Sequence, residues 1–246
     1  MKNLVLLGKK LGHTFSPSYF QNKFETEGIQ GFDYSTLELD DIKKLPQALA
    51  DNPSIIGFNV TIPYKQAVIP FLDELDVTSE AIGAVNTVQR FDGKLKGYNT
   101  DVIGFEQTLM AWKPTCVQSK ALVLGTGGAS KAVKYVLEKH QIPYYMVSSS
   151  GQAGALSYEE LTAEVLRDHL LIVNTTPLGM YPKVETAPNL NYDLLTEDHC
   201  LYDLVYNPAE TTFMIKGREQ GASVKNGYDM LVAQAEASWQ IWNEVL

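Results

Sequence analysis

Lys65 closes the segment Asn59-Val60-Thr61-Ile62-Pro63-Tyr64-Lys65, and a carboxylate, Asp101, closes Gly97-Tyr98-Asn99-Thr100-Asp101. An amine can give a proton to a developing oxyanion and take it back, and a carboxylate can orient that amine; such a pair does general acid–base work. Asn59 and Thr61 alternate with apolar neighbours, so at the end of a strand they point to one side. Lys65 falls at the expected start of a helix, where the macrodipole disfavours a cation and so favours proton exchange. Asn86, in Ala84-Val85-Asn86-Thr87-Val88, sets another polar side chain beside a β-like run. Each residue also has a plainer reading. Lys65 could be a solvated surface lysine, Asp101 the cap of a helix starting at Val102, and Asn86 a turn residue.

The second chemical feature is Ala121-Leu122-Val123-Leu124-Gly125-Thr126-Gly127-Gly128-Ala129-Ser130. A buried strand runs into a glycine turn and then a helix. The first glycine permits a tight turn, the second lets backbone approach a pyrophosphate, and the helix start offers free N–H groups and partial positive charge. Ser130 occupies the third small position and still allows close helix–strand packing. The motif points to a dinucleotide; an ordinary glycine turn is the alternative. The end of the next strand normally distinguishes NAD from NADP through an acidic residue or an arginine. Here it reads Val147-Ser148-Ser149-Ser150-Gly151, with neither sign of charge. Three hydroxyls can hydrogen-bond a phosphate but cannot neutralise it.

The elements that must position these groups follow an α/β rhythm of short β-rich apolar runs and longer amphipathic stretches. Strands are expected at residues 4–8, 32–37 and 55–60, with a helix capped by Ser16 and opened by Pro17, its buried face marked by Phe20 and Phe24. A helix is expected at 42–50 and another after Pro63. Residues 84–90 and 94–98 bracket Asp92-Gly93, a hairpin signal. The second half predicts strands at 120–125, 144–148, 170–175 and 200–204, a helix from the glycine turn to about Lys139, and a last helix over 229–244.

The 246 residues suit one large or two small domains, and 45% hydrophobic content is enough for real cores. The net charge of −9 with no basic run argues against nucleic acid, whose binding rests on neutralising phosphates. No stretch approaches the ~18 apolar residues of a membrane span, and the start lacks a signal-peptide pattern. Cys116 and Cys200 are too few for a secreted disulfide framework and are expected as free thiols in a reducing cytoplasm. His13, His140, His169 and His199 show no metal-ligand spacing, so no metal is expected.

Together the motifs resemble the shikimate dehydrogenase family over essentially the whole chain. They are Gly12-His13-Thr14-Phe15-Ser16-Pro17, the Asn59 to Lys65 segment, Ala84-Val85-Asn86-Thr87-Val88, Asn99-Thr100-Asp101 and the glycine turn. Asn174-Thr175-Thr176-Pro177-Leu178-Gly179-Met180 and Tyr202-Asp203-Leu204-Val205-Tyr206-Asn207-Pro208 follow, then Asn226-Gly227-Tyr228-Asp229-Met230-Leu231-Val232-Ala233-Gln234. Their shared order along one chain makes the match specific.

The resemblance implies two α/β domains: an N-terminal substrate-binding domain, 1–101, completed by a C-terminal helix, 228–246, and a Rossmann-like dinucleotide-binding domain, 102–227, with the active site in the cleft between them. It implies reversible NADP(H)-dependent reduction of 3-dehydroshikimate to shikimate, in aromatic amino-acid biosynthesis. Lys65 and Asp101 would be catalytic. Thr14, Ser16 and Tyr206 would hold the substrate carboxylate, and Asn59, Thr61, Asn86, Asp101 and Gln234 the ring hydroxyls. Gly125, Thr126, Gly127, Gly128, Ala129, Ser148, Ser149, Ser150, Asn174, Thr175, Thr176, Gly227 and Met230 would surround the cofactor. The family commonly carries an Asn-Arg-Thr-like segment where this chain has its three serines, so NAD(H) stays open beside NADP(H). The alternatives are a quinate/shikimate dehydrogenase using NAD and a non-catalytic shikimate-binding homologue. The protein is expected to be cytoplasmic, a monomer or homodimer, with a small-molecule substrate and neither nucleic acid nor membrane as partner.

Overall fold

The computed structural model describes residues 1–12, 14–112 and 118–243. The chain divides into two compact units, Met1–Thr100 together with the end of the chain from Ala235, and Asp101–Gln234. The second division falls inside the last helix, seven residues beyond the Gly227 boundary that the motifs suggest.

The first unit is built on a six-stranded mixed sheet in the order β2-β1-β3-β5-β6-β4. Its strands are β1 (Lys2–Gly8), β2 (Phe32–Glu38), β3 (Ile55–Val60), β4 (Glu74–Leu75), β5 (Thr87–Phe91) and β6 (Lys94–Tyr98). β1 pairs in parallel with β2 and β3, while β5 runs antiparallel to β3 and β6. The hairpin between β5 and β6 turns at Asp92 and Gly93, both at positive φ, as a two-residue loop on twisted strands requires. Helix α1 (Phe15–Thr26) begins one residue before the expected cap: Thr14 occupies the N-cap, without a side-chain capping bond, and Ser16 lies inside the first turn. The helix expected at 42–50 is a 3₁₀ turn, Ile42–Lys44, followed by α2 (Leu45–Asp51). Two shorter helices follow, α3 (Tyr64–Ala67) and α4 (Val77–Ile82), the latter capped by Asp76.

One face of this sheet packs Phe20, Phe24 and Tyr34 against Ala235, Trp239 and Trp242, so the end of the last helix completes the core. The other face packs Phe58, Val60, Tyr64 and Val88 with Leu45 and Leu49.

The second unit holds a five-stranded, all-parallel sheet in the order β11-β10-β9-β7-β8. Its strands are β7 (Ala121–Leu124), β8 (Tyr144–Val147), β9 (Leu171–Asn174), β10 (Cys200–Asp203) and β11 (Ser223–Lys225). The three central strands, β7, β9 and β10, are wholly buried and mostly apolar, the pattern of a parallel sheet covered on both faces. Its helices are α5 (Thr100–Trp112), α6 (Gly128–Lys139), α7 (Ala163–Asp168), α8 (Thr212–Glu219) and α9 (Tyr228–Asn243), with α5 and α9 each running across a unit boundary. The helix starts at Thr100, two residues before the expected Val102, so Asp101 stands within the first turn of α5, two positions past the cap rather than on it.

Cys200, at the start of β10, is disulfide-bonded, which corrects the expectation of free thiols; spacing along the chain does not reveal such a pairing. Cys116 lies outside the described residues, as does His13. Among the described residues no helix is long and apolar enough to cross a membrane.

Candidate functional site

In the first unit, the candidate polar groups gather beyond the ends of β1 and β3. Thr61 follows β3 and its N–H donates to Leu7 O (3.0 Å), which holds the segment beside β1. Lys65 sits in α3, and its carbonyl accepts from Val85 N (2.7 Å), tying α3 to the strand entry that carries Asn86. α3 has only four residues, so Lys65 belongs to its first and its last turn alike. A helix that short has no developed macrodipole, and the dipole argument for Lys65 falls away. Thr14, Ser16, Thr61 and Lys65 are each part-exposed.

Asn59 and Asn86 are buried, and their amides are engaged with the protein. Asn59 Oδ1 accepts from Tyr34 Oη (2.7 Å), and its Nδ2 lies within bonding distance of Ser238 Oγ (3.0 Å), Thr87 Oγ1 (3.1 Å) and Asn86 O (3.3 Å). Asn86 Oδ1 accepts from Thr100 N (2.7 Å), while its Nδ2 donates to Thr100 Oγ1 (3.0 Å). The hydroxyls of Thr87, Thr100 and Ser238 interlock, 2.8 to 3.2 Å apart. A buried network in which each of these groups has a partner fixes one arrangement of strand ends and helix. Asn99 donates to Ala84 O (2.8 Å), but its buried Oδ1 has no partner among the described residues. An orphaned acceptor is costly unless something else supplies a donor.

Nothing in the sequence singles out Tyr34, one aromatic in a strand. Its side chain is 1% exposed, and its hydroxyl also bonds Ser16. Burial pushes its pKa well above the ordinary tyrosine range, so it stays a neutral donor.

In the second unit, the glycine turn follows β7, and β7 lies between β8 and β9 in the sheet. The chain order reverses direction there, making this the switch point at which open α/β sheets bind ligands beyond their carboxyl ends. Gly125 has φ of 101°. A Cβ on it would stand 2.8 Å from Thr176 Cγ2 and 3.0 Å from Thr175 Oγ1. Thr175 in turn clamps onto β7, its hydroxyl donating to Leu124 O (2.7 Å). Gly127 and Gly128 differ: a Cβ there would meet nothing within 4 Å. Among the described residues no neighbour demands glycine at either position, whereas a ligand lying against that backbone would. The N-cap, Gly127, offers no side chain to the first N–H groups of α6, which leaves them to an anion.

Two cavities of about 300 Å³ each flank Thr126. One is lined by Gly125, Ser148, Ser149, Ser150, Tyr158 and Thr176 among others. The second is lined by Ser130, Lys131, Lys134 and Gln152 among others. Ser148 is partly committed, its hydroxyl 2.9 Å from Ser150 Oγ and accepting from Ser150 N. Ser149 and Ser150 are exposed.

Asn174 is held by Asp203: Nδ2 donates to Asp203 Oδ1 (2.9 Å), and Asn174 Oδ1 accepts from Thr176 N (3.0 Å) and Thr176 Oγ1 (2.6 Å). Asp203 also accepts from Val205 N (3.0 Å) and Thr211 Oγ1 (2.5 Å). Burial raises its pKa to about 6 against the pull of these donors. Gly227 passes so close to Leu204 that a Cβ would stand 2.2 Å from Leu204 O. Met230 and Gln234 are buried, and Gln234 Nε2 donates to Leu231 O (2.8 Å). Tyr206 is half-buried, and burial raises its pKa.

A parallel sheet with a glycine turn at its switch point, joined in one chain to a mixed-sheet unit carrying a polar cluster, defines a two-unit α/β protein of Rossmann-like type. Residues 6–88 match the shikimate dehydrogenase substrate binding domain. A shikimate dehydrogenase (NADP(+)) of Clostridium beijerinckii is 39% identical over 97% of this chain and 91% of its own length. Among solved structures, shikimate 5-dehydrogenase of Thermus thermophilus, in complex with NADP(H) and shikimate, superposes with a TM-score of 0.87. It is 30% identical, over 100% of this chain and 95% of that one. A chorismate mutase/shikimate 5-dehydrogenase fusion protein from Clostridium acetobutylicum is 35% identical with a TM-score of 0.87, over 99% of this chain and 92% of that one. The chain belongs to the shikimate dehydrogenase family.

Proposed function

We propose that the protein catalyses the reversible NADP(H)-dependent reduction of 3-dehydroshikimate to shikimate, as a cytoplasmic enzyme drawing on the free cofactor pool. The observation that carries this reading is the pair Gly127 and Gly128, which presents bare backbone to open space at the switch point of a chain in this family. The unit Asp101–Gln234 would bind the cofactor through Gly125 to Ala129, Ser148 to Ser150, Asn174 to Thr176, Gly227 and Met230. The unit of Met1–Thr100 would carry most of the substrate contacts.

When bound, the nicotinamide supplies or accepts the hydride. Lys65 gives a proton to the ketone oxygen as negative charge grows on it and recovers one from solvent; in the oxidation direction it takes the hydroxyl proton. Asp101 orients that amine and accepts from a ring hydroxyl. Thr14, Ser16 and Tyr206 donate hydroxyls to the substrate carboxylate. Thr61 and Gln234 meet ring hydroxyls. Asn59 and Asn86, bound into the buried network, shape the pocket floor and present what bonding capacity remains. A polyhydroxylated ring needs alternating donors and acceptors, and such a pocket rejects analogues lacking a hydroxyl.

Steady-state oxidation of shikimate, followed through the absorbance of reduced nicotinamide with NADP⁺ and with NAD⁺, tests the proposal. Turnover with NADP⁺ is expected. Absence of turnover with both cofactors would overturn it. Turnover of quinate with NAD⁺ alone would favour the second reading, which the uncharged Ser148-Ser149-Ser150 segment motivates.

A further inference from the structure

We infer that Lys131 and Lys134, on α6, select a 2′-phosphorylated dinucleotide in this chain, in place of a charged side chain after the second strand of the parallel sheet. The inference rests on the dinucleotide reading above and adds the residues that decide between the two cofactors.

In a dinucleotide-binding unit the ribose beside the adenine meets the end of the second strand, here β8. The segment after β8 does not lead straight away. Leu156 pairs back onto the strand, its N–H donating to Met146 O and its carbonyl accepting from Ser148 N, both at 2.8 Å. Residues 149–155 therefore form a closed excursion, and Gln152 faces the first turns of α6 across a cavity of about 300 Å³. Thr126 lines this cavity and also the neighbouring one beside Ser148, Ser149 and Ser150. A ribose at the serines thus has a second compartment next to it.

That compartment is built for an anion. Lys131 and Lys134, three apart on one face of α6, both line it, and no carboxylate does. In a chain of net charge −9 this is a local exception. Glu138 is the acid near Lys134, but it stands 3.8 Å away and accepts a closer bond from Tyr144 Oη (2.6 Å). The Lys134 side chain is half exposed and can swing. The helix start adds partial positive charge from below. The serines supply hydroxyl donors, while a phosphate dianion needs counter-charge, which only the α6 lysines offer among the residues lining the two cavities.

The test is calorimetric titration of wild-type protein, Lys131→Gln, Lys134→Gln and the double variant with 2′,5′-ADP and with 5′-ADP, alongside KM for NADP⁺ and NAD⁺. Wild type should bind 2′,5′-ADP more tightly than 5′-ADP. Each substitution should erase roughly tenfold of that preference, the size of one charge-assisted hydrogen bond. Affinity for 5′-ADP, KM for NAD⁺ and melting temperature should hold. A double variant that keeps the wild-type preference, or loses both nucleotides equally, would overturn the inference, as would a wild type indifferent to the 2′-phosphate. Failure of shikimate oxidation alone would instead count against the proposed activity, because the binding experiment needs no turnover.

Discussion

The hydroxyl of Tyr34 donates to Asn59 Oδ1 at 2.7 Å and also bonds Ser16, so one buried phenol joins the start of α1 to the end of β3. Both of its partners belong to the candidate substrate site. Tyr34→Phe keeps the packing against Phe20, whose ring stacks on it at 4.5 Å, and removes only the hydroxyl. We expect a loss of about 1–3 kcal/mol in stability, from the acceptor left unsatisfied on Asn59. KM for shikimate should rise while KM for the cofactor stays fixed. Chemical denaturation and steady-state kinetics measure both. An unchanged shikimate KM would remove Tyr34 from any positioning role.

Lys65→Ala should lower kcat by roughly 10²–10⁴-fold, the usual worth of a positioned acid or base, with a smaller change in shikimate binding. Single-turnover kinetics and equilibrium binding separate the two quantities. Wild-type turnover in this variant would exclude Lys65 as the proton donor.

Gly125 and Gly127 should respond oppositely to alanine. At Gly125 the positive φ and the nearby Thr176 methyl make a side chain strained, so Gly125→Ala should lose about 1 kcal/mol or more of stability. At Gly127 φ is −79° and the space is open, so Gly127→Ala should fold with unchanged melting temperature. It should nevertheless raise KM for the cofactor, because the new methyl occupies the space next to the helix start. Normal cofactor KM in Gly127→Ala would argue against a pyrophosphate there.

Asp203 makes stability depend on pH. Its folded pKa is about 6, above the ordinary 3.8, so the native state holds this proton more tightly than the unfolded chain does. Stability from this group is therefore greatest below about pH 4, declines as pH rises toward 6, and is level above that, by about 3 kcal/mol at most. Urea denaturation at pH 4.5 and pH 7.5 should show the decline in wild type and a smaller one in Asp203→Asn. Equal slopes in the two proteins would assign the pH dependence elsewhere.

Much of the second unit is legible in the chain itself. The apolar run before Gly125, the small residues after it and the periodicity to Lys139 specify β7, the turn and α6, because all three signals are local. The Asp92-Gly93 turn announces its hairpin for the same reason. Short elements such as α7, α8 and β11 are not legible, since their few turns or residues carry too little periodicity to stand out. Lys131 and Lys134 look like ordinary helix-surface lysines until the excursion after β8 closes a wall opposite them.

The sequence alone determined the types of group available, the family pattern they follow and the place of the glycine turn between a strand and a helix. Tertiary structure decided what those groups touch. It spent the amides of Asn59 and Asn86 on a network reaching Ser238, and it brought Tyr34 between Ser16 and Asn59. It also left Gly127 bare where Gly125 is crowded. The reason is physical: backbone propensity and periodicity act over a few neighbouring residues, whereas these contacts join positions up to 179 residues apart and exist only once the sheet has set their register.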